Sequence, residues 1–274
     1  MLENQTLKYQ DTTFDIDTYF LDKISDFKKE VKHPVAIIMP GGGFNFHTDR
    51  ESQPIAMNFA QAGIHAVVLH YQLLKDGKSV FPLALQELAT TLNWLSEHAE
   101  DKQIDLDKIL LVGFSAGGSI VTNFNSLMTN AETRKDIFPE ELKAMPYANI
   151  IGYSVTDMTL GWPKTLDAAE KMSPDHKFWK SQDTLTKSGK PTFIWQTVTD
   201  QTVPVTNSLV YAAKMEELGL PFELHLFSSG PHGTALATYQ VQEPGDDHYL
   251  NHQVSKWWPL CLNWLDQINV LPID

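Results

Sequence analysis

The chain has 274 residues, enough for one large domain or two small ones, and its 42% hydrophobic residues are ample for a sizeable core. A formal net charge of −13, carried by dispersed acidic residues, argues against nucleic acid and against anionic membrane as partners, since either needs a basic surface. Cys261 is the one cysteine, which rules out a disulfide framework, and no apolar run approaches membrane-spanning length.

The opening stretch, MLENQTLKYQDTTF, has neither a basic leader nor an apolar core, so no signal peptide is expected and a soluble cytoplasmic protein is the simplest reading. No repeat, low-complexity linker or composition break marks a second domain, and residues 1–274 read as one. Residues 6–21 alternate irregularly, which suits one or two antiparallel edge strands. Apolar runs at 35–39, 66–71, 109–112, 150–155, 191–197 and 222–227 then read as buried strands. Helical patterns lie between them. Leu85, Leu88, Leu92 and Leu95 share one face of a helix over 82–98, and a second helix over 208–218 is closed by Gly219 and Pro221. A last helix carries Val254, Trp258, Cys261, Leu265 and Ile268 on one face. This alternation specifies a mostly parallel α/β sheet with helices on both faces, in which ligands bind at the carboxyl ends of the strands.

The loops after the strands hold the chemistry. After the 35–39 strand comes Pro40-Gly41-Gly42-Gly43-Phe44. No lysine follows in the spacing of a phosphate loop, so the glycines read as backbone donors, Gly42 and Gly43 first and Gly41 as an alternative. After the 109–112 strand, Gly113-Phe114-Ser115-Ala116-Gly117 matches G-x-S-x-G. That pattern puts a serine on a sharp strand-to-helix turn, with the Ala116 amide as a further donor to an oxyanion. By itself the match also fits an ordinary glycine-rich turn. A serine nucleophile needs a base, and His232, in Ser229-Gly230-Pro231-His232-Gly233 after the 222–227 strand, stands out among ten histidines. The base needs an orienting acid. Asp200 follows the 191–197 strand and Asp157 follows the 150–155 strand; the chain order serine, acid, histidine favours Asp200.

With those residues in place, the chain resembles the α/β-hydrolase superfamily over nearly its full length. More narrowly it is similar to small lactic-acid-bacterial carboxylesterases near the acetyl-xylan-esterase-like and hormone-sensitive-lipase-like groups. The stretches that carry the likeness are IIMPGGGF, Arg50-Glu51, VVLHYQLL, LLVGFSAGG, FIWQTVTDQTVPVTNSL and FSSGPHGTALA. The resemblance implies a Ser115–His232–Asp200 triad, an oxyanion site at Gly42, Gly43 and Ala116, and hydrolysis of short-chain, chiefly acetyl, esters such as acetylated sugars. The partner it implies is a small-molecule ester, and it calls for no cofactor or metal. Pro40 departs from the hormone-sensitive-lipase pattern, which has histidine there. The segment before Val35 is short for that group's cap, so the fold is expected with a small cap or none. Candidate lids are residues 156–190 and 235–257.

Phe44, Phe46, Trp162 and Trp179 are candidate pocket walls, and the same aromatics equally suit packing. Asp246, Asp247, His248 and His252 form a weak metal-like cluster that a solvated loop explains better. Two other functions compete with the esterase: a prolyl-oligopeptidase-like peptidase, against which the absence of a gating domain counts, and a non-catalytic small-molecule-binding relative. A homo-oligomer, through an exposed sheet edge or the tryptophan-rich last helix, stays open.

Overall fold

In the computed structural model, which describes residues 2–26, 31–74 and 77–271, the apolar runs become one eight-stranded sheet. Its strands are β1 (Leu2–Tyr9), β2 (Thr12–Tyr19), β3 (His33–Met39), β4 (His65–His70), β5 (Ile104–Phe114), β6 (Ala148–Gly152), β7 (Thr192–Thr197) and β8 (Phe222–Phe227). They lie in the order β1-β2-β4-β3-β5-β6-β7-β8. The six strands from β3 onward are mutually parallel where they pair, while β1 and β2 form an antiparallel hairpin along β4. The one or two antiparallel strands expected there are thus two, with β1 at the edge and β2 between it and β4.

The pleat divides each central strand between two cores. Val35, Ile37 and Met39 of β3 face one layer, with apolar side chains of α2 (Leu83–Glu97), α3 (Ala116–Asn123) and α7 (Thr206–Leu218). Ala36 and Ile38 face the other, with α1 (Gln53–Gln61) and α8 (Trp257–Gln267). This is why the central strands read as continuous apolar runs: both faces are covered. Three short helices, α4 (Ala131–Ile137), α5 (Leu166–Met172) and α6 (Ser181–Thr184), lie in the connections on either side of β6.

Several features differ from the sequence reading. Strand β6 stops at Gly152 rather than 155, because Tyr153 adopts φ 38° and turns the chain off the sheet. Helix α1 gave no periodic signal; a proline in its first turn starts it and Ile55, Ala56 and Phe59 bury it. In α8 the buried face holds Trp257, Cys261, Trp264 and Leu265, and Trp258 is only half-buried. Trp257 is drawn inward because its ring stacks on Trp195 (5.0 Å, 11°) and its Nε1–H donates to the Ala235 carbonyl at 2.9 Å. The described residues include no helix long and apolar enough to cross a membrane.

One buried acid makes the fold pH-sensitive. Glu87 on α2 is 2% exposed, accepts the Gln72 amide at 2.7 Å, and is pushed by burial from its ordinary 4.5 up to about 8. A folded-state value above the unfolded one means the native protein holds a proton that the unfolded chain releases. Stability from this group is therefore full below the unfolded value and is lost as pH rises towards about 8. Glu87→Gln, which keeps an acceptor for Gln72, is expected to flatten the decline of Tm between about pH 5 and about pH 8. Calorimetry on both proteins across that range checks this, and parallel Tm profiles would rule it out.

Candidate active site

Ser115 sits between β5 and α3 with φ 51° and ψ −121°, a backbone conformation that side chains rarely adopt. Three backbone bonds hold it there. Its amide donates to the Gly152 carbonyl at 3.1 Å, and its carbonyl accepts the amides of Gly118 and Val155, each at 3.1 Å. The turn also depends on a close approach, since a Cβ at Gly117 would lie 2.1 Å from the Met39 carbonyl oxygen. The amino end of α3 is thereby seated against the end of β3, beneath the glycine loop.

The loops after β7 and β8 bring two more groups to the serine. His232 Nε2 lies 2.8 Å from Ser115 Oγ, and His232 Nδ1 lies 2.7 Å from Asp200 Oδ2. The Asp200 side chain is fully buried, and its Oδ1 accepts the amides of Thr202 (2.8 Å) and Val203 (3.0 Å). A carboxylate held this way keeps the imidazole proton on Nδ1 and leaves the Nε2 lone pair to the serine hydroxyl. Asp157, the rival acid, points elsewhere: it accepts from Thr159 N and Oγ1 and from Gln182 Nε2.

The glycine loop divides its donors. Gly41 N–H donates to Glu51 Oε2 at 2.6 Å and is spent there. Among the described residues no acceptor takes the Gly42 or Gly43 amide, and both residues lie at positive φ, 121° and 61°. At Gly42 a Cβ would fall 1.9 Å from the Phe46 carbonyl oxygen, so no larger residue fits without moving the loop. Ala116 opens α3 directly after the serine.

Two residues that sequence reasoning missed join this centre. Glu51 is 2% exposed, and its Oε1 accepts the Tyr153 hydroxyl at 2.6 Å. The same hydroxyl oxygen accepts the Ala235 amide at 3.1 Å, and the Tyr153 ring stands edge-on to His232 at 5.0 Å. Burial pushes the Glu51 carboxyl up, opposed by the Tyr153 and Gly41 hydrogen bonds and by the charges of His232 and Arg50. The Arg50 guanidinium rests 4.1 Å above the Tyr249 ring. Arg50-Glu51 was visible only as a stretch shared with the family; nothing in its spacing marks a buried carboxylate.

A cavity of about 680 Å³ opens over Ser115, walled by Gly42, Gly43, Phe46, Trp162, His232 and Tyr249. Of the four candidate walls, Trp162 and Phe46 line it and buried Trp179 does not. Phe44 as a wall is corrected: it is fully buried behind the loop, 6.1 Å from the Trp162 ring and 6.0 Å from Phe81. A second cavity of about 750 Å³ meets the first at Arg50 and Tyr249 and touches none of Ser115, Asp200 and His232. Within the 156–190 segment, Phe178 stacks on Phe81 (5.3 Å) and Trp179 Nε1 donates to Ser173 O at 2.8 Å. The 235–257 loop sends His248 and Tyr249 to the cavity. Among the described residues no three of His, Cys, Asp and Glu gather as metal ligands, and Asp246 Oδ1 accepts the His248 amide at 2.8 Å.

Comparison with known proteins gives this arrangement relatives. The carboxylesterase Cest-2923 of Lactobacillus plantarum WCFS1 superposes with a TM-score of 0.98 at 42% identity, over 100% of both chains. An acetyl ester-xyloside bifunctional hydrolase of Caldicellulosiruptor lactoaceticus superposes with a TM-score of 0.77 at 25% identity, over 96% of this chain and 91% of that one. Endo-1,4-beta-xylanase B of Butyrivibrio fibrisolvens is 29% identical over 219 residues, 76% of this chain but 33% of that protein. The chain thus spans a third of the length of that curated relative. The model of the BD-FAE family matches residues 21–215. On the match to most of its length and the eight-stranded sheet that carries Ser115, the chain belongs to the BD-FAE family of α/β-hydrolases.

Proposed function

We propose that the protein is a serine carboxylesterase that cleaves short-chain, chiefly acetyl, esters, and the observation that carries this is the chain of hydrogen bonds from Ser115 through His232 to buried Asp200. The Ser115 hydroxyl attacks the ester carbonyl carbon as its proton passes to His232 Nε2. Asp200, already bonded to Nδ1–H, stabilises the imidazolium that forms. The amides of Gly42, Gly43 and Ala116 receive the tetrahedral oxyanion, where loss of one donor typically costs about 3 kcal/mol of barrier. His232 then protonates the departing alcohol, and water, activated by the same imidazole, releases the acid and restores Ser115.

Two things favour a small acyl group. The cavity wall at Trp162 comes within 3.6 Å of where a Cβ on Gly43 would stand, close beside the proposed oxyanion donors. The named activity of the Caldicellulosiruptor relative is also toward acetyl esters. That name, with that of the xylanase relative, supports a sugar as the alcohol part. The cytoplasm is the location that fits the reading.

Hydrolysis of p-nitrophenyl acetate, butyrate and octanoate is expected to be fastest on acetate. Ser115→Ala should lower kcat by about 10⁵-fold or more, towards the uncatalysed rate; a variant that kept its rate would remove the nucleophile from this account. Asp200→Asn should lower kcat by about 10⁴-fold, because an amide at Oδ2 turns a donor towards Nδ1 and favours the wrong tautomer. An unchanged kcat would show that another group orients His232. Faster turnover of peptide p-nitroanilides than of acetate would replace the esterase with a peptidase. Failure of a fluorophosphonate to label Ser115 would favour a binding protein.

A further inference from the structure

We propose that Glu51 is a positioning residue for this reaction, its single buried carboxylate fixing the glycine loop and the histidine loop in register with each other. The inference rests on the esterase reading of Ser115. One carboxylate oxygen holds the Gly41 amide, the residue next to the proposed donors Gly42 and Gly43. The other holds the Tyr153 hydroxyl, which in turn holds the Ala235 amide, three residues after His232. A bridge therefore runs from the oxyanion side of the site to the base side without passing through the triad. It passes close behind the nucleophile, since a Cβ at Gly41 would lie 2.7 Å from Glu51 Oε2 and 2.8 Å from Ser115 Cβ. The Tyr153 ring adds a second constraint through its T-shaped contact with the imidazole.

Such a bridge acts on the transition state more than on the bound ester. A neutral carbonyl tolerates a loosely placed loop, whereas the oxyanion needs donors held within a few tenths of an ångström. Loss of the bridge should thus lower kcat and leave KM nearly unchanged. A purely structural role would lower Tm while each folded molecule turned over as before.

The test is steady-state hydrolysis of p-nitrophenyl acetate by the native protein, E51A, E51Q, Y153F and E51Q/Y153F, with active sites counted by fluorophosphonate titration. E51A is expected to lose about 100-fold in kcat with KM within about threefold, and a boronic acid that mimics the tetrahedral intermediate should bind weaker by a similar factor. E51Q keeps an acceptor for Gly41 and should recover about tenfold of that loss. Y153F should cost about tenfold, and E51Q/Y153F less than the product of its parts, because both substitutions cut one bridge. If E51A does not fold, E51Q and Y153F decide. Values of kcat per titrated site within twofold of native for both, or strictly additive losses, would overturn the proposal. Native protein that hydrolyses acetate and labels at Ser115, beside E51Q and Y153F of native kcat, defeats this inference alone. Native protein that neither hydrolyses acetate nor labels defeats the esterase reading, and this inference with it.

Discussion

The site depends on how closely α3 is seated on β3. With hydrogen alone at the Gly117 α-carbon, the helix amino end reaches the Met39 carbonyl, and no chain with a Cβ there could come so near. That contact fixes where the helix begins, and hence how abruptly the chain must turn after β5. The turn takes Ser115 to φ 51°, a strain of about 1–3 kcal/mol. Backbone hydrogen bonds to the end of β6 and to Val155 offset it. The reward is positional: the serine oxygen stands clear of the sheet beside the glycine loop, with the Ala116 amide next to it.

Around that fixed point two buried carboxylates have been given different company. Asp200 is met by two amides on one oxygen and the imidazole on the other, so its charge is compensated while it orients the ring. Glu51 is met by an amide and a phenol, with Arg50 and His232 at longer range. The first partner set suits an acid that orients a ring. The second suits a clamp on backbone position. Burying an acid without such partners would cost several kcal/mol, so both arrangements are expensive unless each hydrogen bond is made.

The parts legible in the sequence were those with a local signature. Central strands covered on both faces must be apolar throughout, and β3, β4, β5 and β7 were readable for that reason. Ser115, Asp200 and His232 each follow a strand within a stretch of distinctive turn residues, so residue type and chain order sufficed to nominate them; the structure brings the three together. What was not legible depends on contacts across the fold. Glu51 and Tyr153 meet across 102 positions of chain, and no spacing rule connects them. The sequence left Phe44 open between pocket wall and packing. Its φ of 63° turns it under the loop, where it packs against Trp162 and Phe81. Trp257 and Trp258 are adjacent and equally apolar; only the stacking partner on β7 decides which one goes inside.

The dispersal of the site along the chain also bears on how the protein comes to be active. Ser115 and His232 are 117 positions apart, and the strands that lead to them, β5 in the middle of the sheet and β8 at its edge, are separated by β6 and β7. Closing contacts of that separation is entropically slow, and none of them rewards the chain until the intervening strands have paired. The meeting of Ser115 with His232 is accordingly a property of the completed sheet, and no fragment that ends before β8 contains both partners.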